Sequence, residues 1–175
     1  RRDFSGIGYA EAMRRAREIV PILRERAQKA EDARMLIREN EPDAIAQING
    51  TDLLQILLNL TINALQSSDT PHRVEVEARL LRDPINLGEI REGPQTRFIN
   101  PEGFLNRAPL VAITVSDNGP GIPPEVMARI FEQPFTTKSS ERGTGLGLSI
   151  VKRLMREAHG ATHLTTKPGL GASFK

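Results

Sequence analysis

Three groups of residues in this chain have the types and spacing to do chemistry together. Asn59 and Asn63 stand four apart in an apolar stretch. Asp117-Asn118-Gly119-Pro120-Gly121-Ile122 follows, then Gly143-Thr144-Gly145-Leu146-Gly147-Leu148. An amide carbonyl is a hard oxygen ligand suited to magnesium, which keeps several waters and also takes phosphate oxygens. A carboxylate only accepts hydrogen bonds, so Asp117 can receive the exocyclic amino group of adenine and would disfavour a guanine carbonyl. Gly119 and Gly121 leave room for a flat base against the backbone. The third group immediately precedes a helical pattern, where small residues let backbone N–H groups approach phosphate and the helix dipole adds positive potential. It is neither a dinucleotide fingerprint, since Leu148 stands where the third glycine would fall, nor a P-loop, since no Gly-Lys-Ser/Thr occurs.

Each group also has a purely structural reading. The asparagines could be buried amides bonded to backbone, Asp117 could begin an ordinary Asp-Asn-Gly turn, and the third group could be a helix-capping loop. Phe131-Glu132-Gln133-Pro134-Phe135-Thr136-Thr137-Lys138 lies between the glycine groups. Its two aromatics resemble the hinges of a lid, and Lys138 could reach a phosphate or be a solvated surface lysine.

Elements must position these groups. Ala10, Met13, Ala16, Ile19, Val20, Leu23 and Ala27 recur near the helical period, so residues 8–30 are predicted helical with a break at Pro21. Their charges interleave in sign, as on a solvated face. Met35/Ile37 and Ile45/Gln47 suggest two short strands joined around Pro42. Gly50-Thr51-Asp52 supplies an N-cap for a helix from Leu53 to about Ser67, expected to bury Leu54, Leu57, Leu58, Ile62 and Leu65. Four of four apolar positions at Val74, Val76, Ala78 and Leu80 alternate as in a half-buried strand. Residues 83–108 carry scattered Pro, Gly and Asn and read as a mobile loop or extended hairpin. Residues 110–115 form a near-continuous apolar run suited to a central strand. Pro123-Pro124 opens a short helix ending near Ile130, and Leu146–Ala158 is helical. Segments 161–166 and 170–175 form a hairpin turning at Pro168-Gly169. The sum is α/β (α+β): a two-layer sandwich of a mixed sheet and about three helices.

Composition narrows the function classes. The chain has 175 residues, 38% hydrophobic and 26% charged, enough for one domain with a core. Lys plus Arg number 24 against 22 for Asp plus Glu, so no basic field argues for nucleic acid. With no cysteine, thiol catalysis, disulfides and thiolate metal sites are excluded. No apolar stretch is long enough to span a bilayer. The start at Arg1-Arg2-Asp3-Phe4, without Met, reads as that of a fragment.

In order along the chain, Asn59 to Asn63, Asp117-x-Gly119-x-Gly121, Phe131 to Lys138, Gly143 to Leu148 and Gly169-Leu170-Gly171-Ala172-Ser173-Phe174 resemble the N, G1, F, G2 and G3 boxes of sensor histidine kinases. From roughly residue 8 to 175 the chain is similar to their catalytic ATP-binding domain, nearest in style to the nitrogen-regulatory kinases. The resemblance implies a Bergerat ATP-binding fold, shared with DNA gyrase B, MutL repair proteins and a major heat-shock chaperone. It implies ATP and Mg2+ as cofactors, with Asn63 on magnesium, Asp117 on the adenine amino group and Gly143, Thr144, Gly145, Leu146, Gly147 and Leu148 around the phosphates. Asn59, Gln66, Gly119, Gly121, Ile122, Phe135, Thr137 and Lys138 complete the implied nucleotide site, and residues 131–147 the ATP lid. Hydrolysing relatives carry a Glu general base where Asn59 stands, so phosphoryl transfer to a protein side chain is favoured over hydrolysis, with Asn59 positioning.

The implied partners are a histidine-bearing dimerisation domain, of which residues 1–7 would be the linker remnant, and a response regulator receiver domain. None of His72, His159 and His163 matches the acceptor pattern, so the fragment is not expected to autophosphorylate. It is expected to be monomeric and cytoplasmic, without nucleic-acid or membrane contact. Departures from the family pattern are Gln133-Pro134 in the lid motif, Ala172 where many relatives have Thr, and Gln66-Ser67 where many have Lys and an aromatic. The 83–108 insertion has no family role.

Overall fold

The structure is a computed structural model that describes residues 7–8, 14, 34–39, 45–132 and 145–175. Its strands in chain order are β1 (Ile7–Gly8), β2 (Arg34–Glu39), β3 (Ile45–Ala46), β4 (Arg73–Leu81), β5 (Thr96–Ile99), β6 (Leu110–Asp117), β7 (Thr162–Lys167) and β8 (Gly171–Phe174). Its helices are α1 (Gly50–Leu65), the short α2 (Pro124–Met127) and α3 (Gly147–Glu157), with a 3-10 turn at Leu87–Glu89. Among the described residues six strands form one mixed sheet in the order β2-β4-β6-β8-β7-β5, and β1 pairs with β3 separately. The β2–β4 pair is parallel and the other pairs in the sheet are antiparallel.

Alternation in β4 puts Val74, Val76 and Ala78 against the helices, each 3% exposed or less. Their register partners on β6 are Asp117, Val115 and Ile113, so Asp117 shares the helix-facing side with the buried Val115. Val115 in turn opposes Phe174 on β8, which opposes Leu164 on β7. Leu53, Ile56, Leu57, Leu60 and Ala64 of α1, with Val151 and Leu154 of α3, close the core from the other layer. Each fully buried Leu, Ile or Val contributes about 1.5–3 kcal/mol relative to exposure. This two-layer arrangement is the sandwich expected from the sequence.

Several local expectations are corrected. The N-cap of α1 is Asn49, whose side-chain oxygen accepts from Thr51 N at 2.8 Å, one residue before the predicted cap. The stripe of α1 facing the sheet is Leu53-Ile56-Leu57-Leu60-Ala64, while Leu54, Leu58 and Ile62 are only half-buried. Apolar residues surround this helix, so periodicity alone could not choose its inner face. β2 and β3 exist but do not pair with each other; β3 pairs with β1, which includes Gly8, the expected start of a helix. The remaining expected helix, residues 9–30, lies outside the described residues apart from Arg14.

The 83–108 insertion is not an unstructured loop. It holds β5, which adds to the sheet edge beside β7 in the register Phe98↔His163. Phe98 meets Phe104 and His163 edge-on, with ring centroids 6.3 and 6.0 Å apart. Asn106 bonds the backbone of Ile85 twice, at 2.8 and 2.7 Å, and Asn100 Nδ2 donates to Gly160 O at 2.6 Å. All four residues of β5 are half-buried, without alternation to announce them.

Candidate functional site

α1 is the spine of the site. Asn59 and Asn63 fall at i and i+4, about 6 Å apart along α1, and Ser67 follows just past the C-cap Gln66. At one end of the row stands the start of α3. A methyl group placed at Gly147 would lie 3.2 Å from Asn59 Oδ1 and 3.7 Å from Asn63 Nδ2. Without a side chain at Gly147 the α3 N-terminus comes close to both amides, and a Cβ there would press on the Asn59 amide. Asn59 Nδ2 donates to Gln55 O at 2.9 Å, which fixes the amide and leaves its oxygen toward Gly147.

Asp117 stands at the other end. Its Oδ1 accepts from Gly119 N at 2.9 Å and from Ser67 Oγ at 3.3 Å. Burial pushes the carboxyl above its ordinary 3.8, against the Gly119 amide, the charge of His72, the Ser67 hydroxyl and the Ala172 amide, which pull it down. His72 Nε2 lies 2.8 Å from Ala64 O and 3.3 Å from Ser67 Oγ, while Nδ1 lies 3.0 Å from Thr70 O. This imidazole therefore ties the last turn of α1 to the hydroxyl that touches Asp117.

The loop after Asp117 is held from two sides. Asn118 Oδ1 accepts from Arg73 N at 2.6 Å, anchoring it to the start of β4. Ile122 N donates to Thr166 Oγ1 at 2.8 Å, and that hydroxyl donates to Gly171 O at 2.9 Å. Gly121, at φ 76°, sits so close to β7 that an added methyl would lie 2.6 Å from Lys167 O. Gly119 is buried, and a methyl there would meet Ser67 Oγ at 2.5 Å. These are close-approach glycines, not merely turn formers.

The structure thus brings Asn59, Asn63 and Gly147 together at one end and Asp117 with Gly119 at the other. Ile122 and Leu148 are half-buried against the core. Gln66 is the C-cap of α1. Gly145 has φ 70°, and Leu146 is exposed. Phe135, Thr137, Lys138, Gly143 and Thr144 lie outside the described residues, as does most of the expected lid. Sequence reasoning missed Ser67, His72, Asn118 and Thr166 as parts of the site. Helical spacing from Asn63 could have marked Ser67; the partners of Asn118 and Thr166 are 45 and 44 residues away, beyond any local pattern.

Residues 48–175 match the family model described as histidine kinase-, DNA gyrase B- and HSP90-like ATPase. Among curated relatives, the sensor kinase CckA of Brucella abortus is 42% identical over 123 residues, 69% of this chain and 12% of that protein. The sensory histidine kinase/phosphatase NtrB of Rhodobacter capsulatus is 33% identical over 139 residues, 78% of this chain and 35% of that protein. The chain therefore spans well under two thirds of these relatives. Among solved structures, full-length ShkA in complex with AMPPNP superposes with a TM-score of 0.64 at 25% identity, covering 98% of this chain and 30% of that one.

Proposed function

The chain belongs to the histidine kinase-, DNA gyrase B- and HSP90-like ATPase family, and from that premise we propose that it is the Mg-ATP-binding catalytic domain of a two-component sensor histidine kinase. The observation that carries this reading is the row on α1, with the Gly147 helix start at one end and the Asp117 carboxylate at the other. It suits a ligand with phosphates at one end and a base at the other.

In this reading Asp117 accepts from the adenine amino group beside Gly119, while Gly121 lets the loop pack against β7. The Gly143–Leu148 segment and the α3 N-terminus receive the phosphates through backbone N–H groups and the helix dipole. Asn63, whose Nδ2 faces Gly147 in this structure, would offer magnesium the oxygen of the same neutral amide. When bound, the metal neutralises charge on the phosphates. Asn59 cannot take a proton from water, and its amide hydrogen is held by Gln55 O. It positions, and the acceptor is a histidine. The imidazole nitrogen attacks the γ-phosphorus, the bond from that phosphorus to the bridging oxygen breaks, and ADP leaves.

The acceptor histidine belongs to a separate helical dimerisation domain, with residues 1–7 as part of the connection and 8–175 as the catalytic unit. A response regulator receiver domain takes the phosphoryl group onward. We assign the domain to the cytoplasm, where ATP and such regulators are found. The test is incubation with γ-labelled ATP, with and without a histidine-bearing helical domain of a relative. Label on the added domain only when this chain is present is expected. Steady phosphate release by the chain alone, with no label on the added domain, would instead point to a hydrolysing ATPase.

A further inference from the structure

Two side chains around Asp117 belong to none of the sequence boxes. Ser67 and His72, five residues apart between α1 and β4, are both half-buried. The Ser67 hydroxyl donates to Asp117 Oδ1 at 3.3 Å. It is pressed against the loop after β6, since a methyl at Gly119 would lie 2.5 Å from it. His72 Nε2 stands 3.3 Å from the same hydroxyl oxygen.

Chemistry gives this chain of contacts a direction. His72 Nε2 is also 2.8 Å from Ala64 O. A carbonyl oxygen only accepts, so that nitrogen carries a hydrogen. Toward Nε2–H the hydroxyl can only accept, and its single hydrogen is left for Asp117. Thr70 O, 3.0 Å from Nδ1, grips the ring from its other nitrogen. The next residue, Arg73, exchanges two hydrogen bonds with Asn118, N to Oδ1 at 2.6 Å and Asn118 N to Arg73 O at 3.2 Å. Two consecutive residues therefore hold the hydroxyl beside the carboxylate and the residue that follows it.

The carboxylate needs such support. The last torsion of an aspartate is broad, so a single donor leaves it free to swing. Here Oδ1 takes two donors of different origin, the Gly119 amide at 2.9 Å and the Ser67 hydroxyl. Burial raises this carboxyl, and the Gly119 amide, the charge of His72 and the Ser67 hydroxyl oppose it. The same contacts that orient the group thus favour its acceptor-only form.

Resting on the proposed nucleotide site, we infer that Ser67 and His72 are positioning residues for the base. They aim the Asp117 carboxylate at the exocyclic amino group, and so set the preference for adenine over a purine that lacks this group. A nucleotide without the amino group gains nothing from a well-aimed acceptor, so the effect is on selection rather than on affinity in general.

The test compares ATP with purine riboside triphosphate, which lacks only the exocyclic amino group, by calorimetry in magnesium buffer. The parent chain is expected to prefer ATP. Ser67→Ala and His72→Leu should each weaken ATP about fivefold or more, the range of one hydrogen bond, and change the amino-free analogue by less than about twofold. His72→Gln keeps an N–H donor for Ala64 O and Ser67, and should hold the parent's preference to within about twofold. A parent preference that Ser67→Ala and His72→Leu leave intact would overturn the inference. Equal weakening of both nucleotides would do the same, since a merely structural tie moves them together. Loss of preference in His72→Gln as large as in His72→Leu would overturn the role of His72. Absence of any preference in the parent is a distinct result, and would remove Asp117 from the base and its two supports with it.

Discussion

Asp117 is held between two demands, burial and charge. Burial raises its carboxyl above 3.8 while its neighbours work to keep it ionised. Gly119 N–H and the Ser67 hydroxyl both go to Oδ1, and in the proposed site the carboxylate's remaining acceptor capacity would meet the base. Asp117→Asn would keep its oxygen on the Gly119 amide and turn its NH2 toward the adenine amino group, donor against donor. ATP and ADP affinity is expected to fall about 10- to 100-fold, the cost of one buried unpaired donor, as calorimetry would read. Unchanged affinity would remove Asp117 from the base site. Without nucleotide the same substitution acts in the other direction. A raised carboxyl favours the folded state when protonated, a contribution present below pH 3.8 and lost as pH rises through the folded value. Asp117→Asn should therefore melt above the parent at pH 7, with the gap closing as pH falls toward 3.8; a gap that widens in acid would contradict the burial argument.

At the scale of elements, the site depends on how tightly backbone meets backbone. Gly171 opens β8 at φ 96°, and a methyl there would overlap the Asp117 carbonyl oxygen. Gly169, in the hairpin turn at φ 76°, has open space around its missing side chain. Both pay for left-handed backbone on gaining a Cβ, about 1 kcal/mol, but only Gly171 adds a clash with the strand that carries Asp117. Gly171→Ala is expected to destabilise by about 2–4 kcal/mol and Gly169→Ala by about 1 kcal/mol in urea unfolding. Equal losses would mean that the approach of β8 to Asp117 is not constrained as described. The same closeness governs Gly147, where α3 meets the two asparagines of α1. A helix-capping reading of that segment would not require glycine to face a neighbouring helix.

For the whole molecule, the edge built by β5 has a consequence for acid stability. His163 lies under Phe98, and its Nε2 is buried without a hydrogen-bond partner. Burial, then the Lys175 charge, lowers its pKa from 6.5. A lowered imidazole favours the folded state when neutral, so this contribution is intact above pH 6.5 and lost as pH falls toward the folded value. The melting temperature is expected to drop as pH goes below 6.5, and His163→Phe should flatten that drop; a parallel pH curve for the variant would place the acid lability elsewhere. This edge was the least legible part of the chain, because β5 takes its register from β7, some 65 residues later, and shows no alternation of its own. By itself the sequence determined what short-range physics can carry: the alternation of β4, the helical period of α3, the hairpin at Pro168-Gly169 and the ordered boxes with their chemical types. Only tertiary structure decided which face of α1 is inward, that Ser67 and His72 support Asp117, and that Thr166 locks the Gly121 loop to β8. Those outcomes depend on backbone approach and register between segments distant in sequence, and no local pattern of residues encodes a distance.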